Sequence, residues 1–87
     1  MSGVLLSGRL GFAEVGQHLR RLDELSASDT LDLSAVTQVD SAGLSLLLEL
    51  TRRSHKKGKQ LSLLNAPAQL RELARFFKLD ALLSLGN

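Results

Sequence analysis

Thr30-Leu-Asp-Leu-Ser-Ala-Val-Thr-Gln-Val-Asp-Ser-Ala-Gly-Leu44 is the stretch whose reading decides the fold. Leu31 and Leu33 alternate with Asp32 and Ser34 at the two-residue period of a half-buried strand. Val36 and Val39 then give way to Asp40-Ser41-Ala42-Gly43, a polar loop that opens a leucine-rich helix. A helix start leaves about four backbone N–H groups without intrahelical partners, and their partial positive charge lies next to Asp40 and Ser41.

Upstream of this stretch, Val4-Leu5-Leu6 is a short apolar run bounded by Gly3 and Gly8, a strand by length and flanks. From Phe12 the period changes. Phe12, Val15, Leu19 and Leu22 fall on one side of a helix predicted over residues 13–25, with Glu14, Gln17, Arg21 and Glu24 elsewhere. Ser26-Ala-Ser-Asp29 is a turn by composition. Downstream, a second helix is predicted over residues 42–57, ended by Gly58 with lysines in its last turn. Residues 60–64 form the next strand, and Asn65-Ala66-Pro67 turns into a last helix, with Pro67 in its first turn. There Leu70, Leu73, Ala74 and Phe77 share one face, opposite Arg71, Arg75 and Lys78. The apolar residues 79–85 suggest a short helical turn closing over an edge of the core. Strand and helix alternate three times, which implies an α/β fold of mainly parallel strands joined by crossover helices. In such sheets function gathers beyond the carboxyl ends of the strands, where residues 36–43 lie.

Composition narrows the possible chemistry. A chain of 87 residues is expected to form a single domain spanning 1–87, burying somewhat more than ~60% of its extended surface. Hydrophobic residues make up 44% but aromatics only 3%, three Phe with no Trp or Tyr, so the core must be aliphatic and mainly Leu. No aromatic platform for bases is available. Without cysteine there is neither a disulfide nor a thiolate metal site, and two isolated His do not assemble a zinc site, so no cofactor is implied.

The net charge of +2 is unevenly spread, because Arg52, Arg53, Lys56, Lys57 and Lys59 lie together without an intervening acid. They read as a solvated helix end with cations near the negative pole of the helix dipole, or as a contact for an anionic surface. No recognition motif supports nucleic acid. No apolar run approaches the roughly 18 residues of a membrane span, and residues 3–6 are too short for a signal-peptide core, so a cytoplasmic location is expected.

Leu44, Leu47, Leu48 and Thr51 form the core stripe of the second helix, but Leu46 and Leu50 project about 120 to 160 degrees away from its centre. They pack against a neighbouring helix or form the apolar centre of a partner surface. Asp40 either braces the loop or touches a partner, and Gly43 admits a close backbone approach within the domain or across an interface. Ser41 reads as the N-cap of the helix. Asp32 faces solvent, and His18 and His55 read as packing or surface residues. An enzyme is not indicated: Ser41 and His55 stand about four turns apart on one helix, roughly 20 Å, too far for proton transfer. Nothing in the chain resembles a nucleophile elbow, a phosphate loop or a metal motif.

The pattern Asp-Leu-Ser…Val-Asp-Ser-x-Gly-Leu, followed by a Leu-rich helix, a Lys-Gly turn, a strand and Asn-Ala-Pro before an amphipathic helix, resembles the STAS domain, from Val4 to about Leu83. That family includes the anti-anti-sigma factors and regulatory domains of transporters. Gly43-Leu-Ser-Leu-Leu-Leu48 and the Lys-Lys-Gly turn look most like the small STAS subunits of Mla-type phospholipid-transport ABC systems. The resemblance implies a non-enzymatic protein that binds and stabilises the transporter ATPase at the inner face of the inner membrane, supporting outer-membrane lipid asymmetry. Carried over by motif position, it names Asp40, Ser41, Ala42, Gly43, Ser45, Leu46 and Glu49 as partner-binding residues. In the anti-sigma antagonists the position of Ser41 is a phosphoacceptor, which makes phosphorylation the alternative role. STAS domains usually carry another strand before the one at Val4 to Leu6. Its absence here would leave that strand as an edge open to self-association.

Overall fold

The alternating stretch around Leu31 becomes the central strand of a four-stranded, all-parallel sheet in the computed structural model, which describes residues 3–85. Residues 1, 2, 86 and 87 of the expected single domain lie outside the described residues. In the order β1-β2-β3-β4, β2 (Thr30–Val39) pairs with β1 (Gly3–Leu10) on one side and β3 (Ser62–Leu64) on the other. The last strand, β4 (Ser84–Leu85), pairs with β3. Two short helices, α1 (Val15–Leu19) and α2 (Leu22–Ala27), connect β1 to β2. The long helix α3 (Ser41–Lys56) connects β2 to β3, and α4 (Ala68–Phe76) follows β3. This is the α/β architecture of parallel strands with crossover helices that the sequence predicts.

Both β1 and β2 run further than their sequence pattern suggests. Leu5 lies opposite Asp32 but Ser7 lies opposite Ala35, and Gly8 opposite Val36 but Arg9 opposite Gln38, so β2 carries two extra residues. Such bulges break the two-residue alternation and turn the buried series into Leu31, Leu33, Val36 and Val39. Among the described residues β1 has β2 as its only neighbour, so its outer edge is open, as expected. Gly8, at φ +78, sits within the bulged stretch of this edge.

Three other expectations change. The helix predicted over 13–25 is two helices, with Arg20 ending the first and Arg21 opening the second. Pro67 precedes α4 as its N-cap instead of lying in its first turn. Residues 84 and 85 extend the sheet where a helical turn was expected.

The core is aliphatic. Leu6, Leu10, Leu31, Leu33 and Leu63 of the sheet meet Leu25 of α2, Leu47 and Leu50 of α3 and Leu70 of α4, all buried. Each such leucine contributes about 1.5–3 kcal/mol relative to exposure. Leu46 and Leu50, 3% and 0% exposed, belong to this core, so α3 is wrapped by its own domain on more than one side. Phe12 and Phe77, expected on core faces, are outside it: α1 begins only at Val15, and α4 has already ended at Phe76.

Candidate functional site

The site is built where β1 and β2 end level with each other, Leu10 opposite Val39. Asp40 N donates to the Leu10 carbonyl at 3.2 Å, and the chain then enters α3. Asp40 holds an extended backbone and caps the helix: Oδ1 accepts the N–H of Ala42 at 2.9 Å and of Gly43 at 3.1 Å. Its second oxygen accepts the Phe12 N–H at 3.1 Å, which draws the β1–α1 loop onto the start of α3. These bonds favour the carboxylate and hold its pKa below the ordinary value, the Phe12 bond foremost and the Gly43 bond next.

Ser41, read from the sequence as the N-cap, is instead the first helical residue, exposed and outside the cap. Asp and Ser are comparable caps, but only the carboxylate offers one oxygen to the helix and another to Phe12. Gly43 is buried, and a methyl group there would overlap the Leu10 carbonyl oxygen and come within 2.8 Å of its carbon. The close approach it permits is therefore within the domain, α3 against the end of β1.

Beyond this turn, Ala42, Ser45 and Glu49 form one wall of a shallow, largely apolar groove of about 420 Å³. The other wall is Phe12, Val15, Gly16 and Leu19. Of the residues expected to touch a partner, Asp40, Ser41 and Ser45 are exposed, and Ala42 and Glu49 are partly so. Leu46 is a correction: its side chain is the floor of the groove, packed in the core and not displayed. Glu49 is held by Arg52 at 2.7 and 3.0 Å and by Arg53 at 2.9 Å, which pulls its pKa from 4.5 to about 2.

On the other side of Ser41 lies a second groove, lined by Val39, Gln69, Leu73, Phe76 and Phe77. Gln69 Oε1 accepts the Val39 N–H at 2.8 Å and ties α4 to the end of β2. Sequence reasoning missed this flank and the exposure of Phe12. The available signal was that the many leucines, with a few small aliphatics such as Val36, Val39 and Ala74, suffice to fill so small a core, which leaves the three Phe for other duties.

Most of the basic cluster is tied to its own domain. Arg53 also reaches Asp23 at 3.6 Å, Lys57 donates to Ser26 Oγ at 3.1 Å, and Lys59 pairs with Asp29 at 3.4 Å. His55 is exposed at the far end of α3. His18 is half-buried, and burial first, then the charge of Arg21, lowers its pKa. No cluster of metal-ligating side chains is found among the described residues, and no helix there is long and apolar enough to cross a membrane.

Comparison with known proteins agrees with this architecture. No curated protein matches the sequence. Among solved structures, the unphosphorylated anti-sigma factor antagonist SpoIIAA superposes with a TM-score of 0.66 at 23% identity, over 86% of this chain and 74% of that one, which establishes a shared fold. The family described as "Mlab, STAS domain" matches residues 2–84, and the chain therefore belongs to the Mlab-type STAS domain family.

Proposed function

We propose that this protein is a non-enzymatic STAS subunit, one domain over residues 1–87. It binds and stabilises the cytoplasmic ATPase of an Mla-type phospholipid-transport ABC system and supports outer-membrane lipid asymmetry. On this reading it sits at the inner face of the inner membrane through the transporter, without a span of its own and without nucleic acid. The observation that carries the proposal is the Asp40-braced turn, which leaves Ser41 and Ser45 exposed beside a groove whose outer wall is Phe12, 85% exposed. A phenyl ring so exposed at the rim of an apolar groove supports a docking role. Gly43 and Leu46 shape that surface from beneath, while Asp40, Ser41, Ala42, Ser45 and Glu49 face the partner.

Co-expression with the ATPase from the neighbouring operon tests this. The native chain should co-purify with it, and the Phe12→Asp, Ser41→Lys double variant should not. Both side chains are exposed, so the variant should keep its melting temperature. Full binding by that folded variant would show that the surface is wrongly assigned.

A second reading is an anti-sigma factor antagonist controlled by phosphorylation of Ser41, favoured by an exposed hydroxyl that the helix cap does not use. Phosphate at a helix start gains from the dipole but meets repulsion from Asp40. Incubation with an anti-sigma kinase and ATP, followed by intact mass, separates the two: added phosphate mapped to Ser41 supports switching, and an unmodified chain rejects it. Pairing of two copies through the open β1 edge is a separate proposal, read by sedimentation of the isolated chain.

A further inference from the structure

All three phenylalanines of the chain stand outside a core made of leucine with Val36, Val39 and Ala74. Phe12 belongs to the groove proposed above for docking. Phe76 and Phe77 end α4 on the opposite flank of Ser41, 79% and 47% exposed, with ring centroids 5.1 Å apart and planes at 86°. An edge-to-face pair is a stiff apolar body with little rotamer freedom left to lose on binding. The turn that displays it is also fixed: Phe77 N donates to the Leu73 carbonyl, Lys78 N to Arg75 and Leu79 N to Ala74, with Lys78 at φ +59.

Cations flank this place, as exposed Arg9, Arg20 and Lys56, also without an ion pair among the described residues, do elsewhere on the surface. Arg75 and Lys78 bracket the ring pair, both are exposed, and among the described residues neither has an ion pair. The cations at the end of α3 are by contrast largely engaged by Glu49, Asp23 and Asp29. Exposed aromatic rings beside unengaged cations suit an apolar segment edged by acidic residues. The surface is also concave, a groove of about 580 Å³ running from the rings to Ser41, and the carboxylates of Asp40 and Glu72 line it. An anionic membrane would be repelled by those carboxylates, whereas a folded partner can set a separate group against each charge.

We infer that the C-terminal turn of α4 is a second half of the partner surface. Phe76 and Phe77 are its anchor, Arg75 and Lys78 select acidic residues of the ATPase, and Ser41 lies between this half and the Phe12 groove. The inference rests on the docking reading above and extends it to a second helix.

The test is the affinity of the purified ATPase for the 87-residue chain carrying Phe76→Ser with Phe77→Ser, or Arg75→Glu with Lys78→Glu, at low and high salt. Loss of paired aromatic anchors should weaken binding about thirtyfold. Charge reversal should weaken it mainly at low salt. Both variants alter exposed positions and should melt with the native chain. Native affinity in both folded variants, with the Phe12→Asp, Ser41→Lys variant still defective, overturns this inference and leaves the docking reading standing. If the native chain does not bind the ATPase, both fall. If the variants keep ATPase binding but lose attachment to phosphatidylglycerol vesicles that the native chain holds, the turn is a membrane contact and the inference is wrong.

Discussion

The carboxylate of Asp40 accepts the backbone N–H of Phe12 at 3.1 Å while it caps α3 through Ala42 and Gly43. One side chain thus fixes the start of the helix and the loop that carries an exposed ring of the docking groove. Asp40→Ala should lower the melting temperature by several degrees and remove hydrogen-exchange protection at the amides of Phe12, Ala42 and Gly43 together. Asp40→Asn, which keeps an acceptor for the helix, should fall between the alanine variant and the native chain. Loss of protection at Ala42 and Gly43 alone would mean that the Phe12 bond does not persist in solution.

The sequence carried the sheet more clearly than it carried the site. Leu31 and Leu33 announce β2, yet the bulges after them replace the two-residue period with steps of three to Val36 and Val39, so the strand looks finished too early. Two paired residues are too few for β4 to leave any pattern. The Asp40-Ser41 pair offers two residues of equal capping strength, and only the distant Phe12 N–H decides between them. Leu46 and Leu50 are a matter of tertiary context: their angle on α3 is legible, but what covers that angle depends on how α1 and α2 fold back. The same dependence concealed the α4 flank, because a helical face that includes Phe77 looks like core until the helix ends one residue before it.

Gly43 and Gly16 separate the two uses of glycine in this fold. Gly43→Ala pushes a methyl group into the Leu10 carbonyl, a backbone group at the end of a paired strand that cannot swing aside. It should cost about 3 kcal/mol or more. At Gly16, in α1, a Cβ meets nothing within 4 Å, so Gly16→Ala should stabilise by about 0.5 kcal/mol through a better helix former. Urea denaturation of both variants checks the pair, and a mild Gly43→Ala would mean that α3 is free to move off β1.

Leu46→Ala tests whether the groove has a structural floor. Because the side chain is 3% exposed, its truncation should cost about 2–5 kcal/mol, measured as a fall in the denaturation midpoint. An exposed contact residue would instead lower partner affinity with the midpoint unchanged.

Acid should loosen this domain through Glu49 as well as Asp40 and Asp32. Glu49, whose side chain is 32% exposed, accepts hydrogen bonds from both Arg52 and Arg53, the Arg52 bonds being the larger influence, and its pKa falls from 4.5 to about 2. Asp40 and Asp32 are shifted in the same direction, Asp40 chiefly by the Phe12 amide and Asp32 chiefly by Asn65. A carboxylate whose folded-state pKa lies below its unfolded value adds stability that is complete above the unfolded value and disappears as pH falls through the folded one. These carboxylates should therefore make the denaturation midpoint decline between about pH 4.5 and 2, after an earlier decline that sets in below about pH 6.5, where the lowered pKa of His18 leaves the folded chain binding fewer protons than the unfolded one. Solvent screens these groups, so the Glu49 part of the slope should shrink in high salt, and Glu49→Gln should remove it. A Glu49→Gln profile superimposable on the native one at low salt would show that the two arginines do not hold the carboxylate in solution.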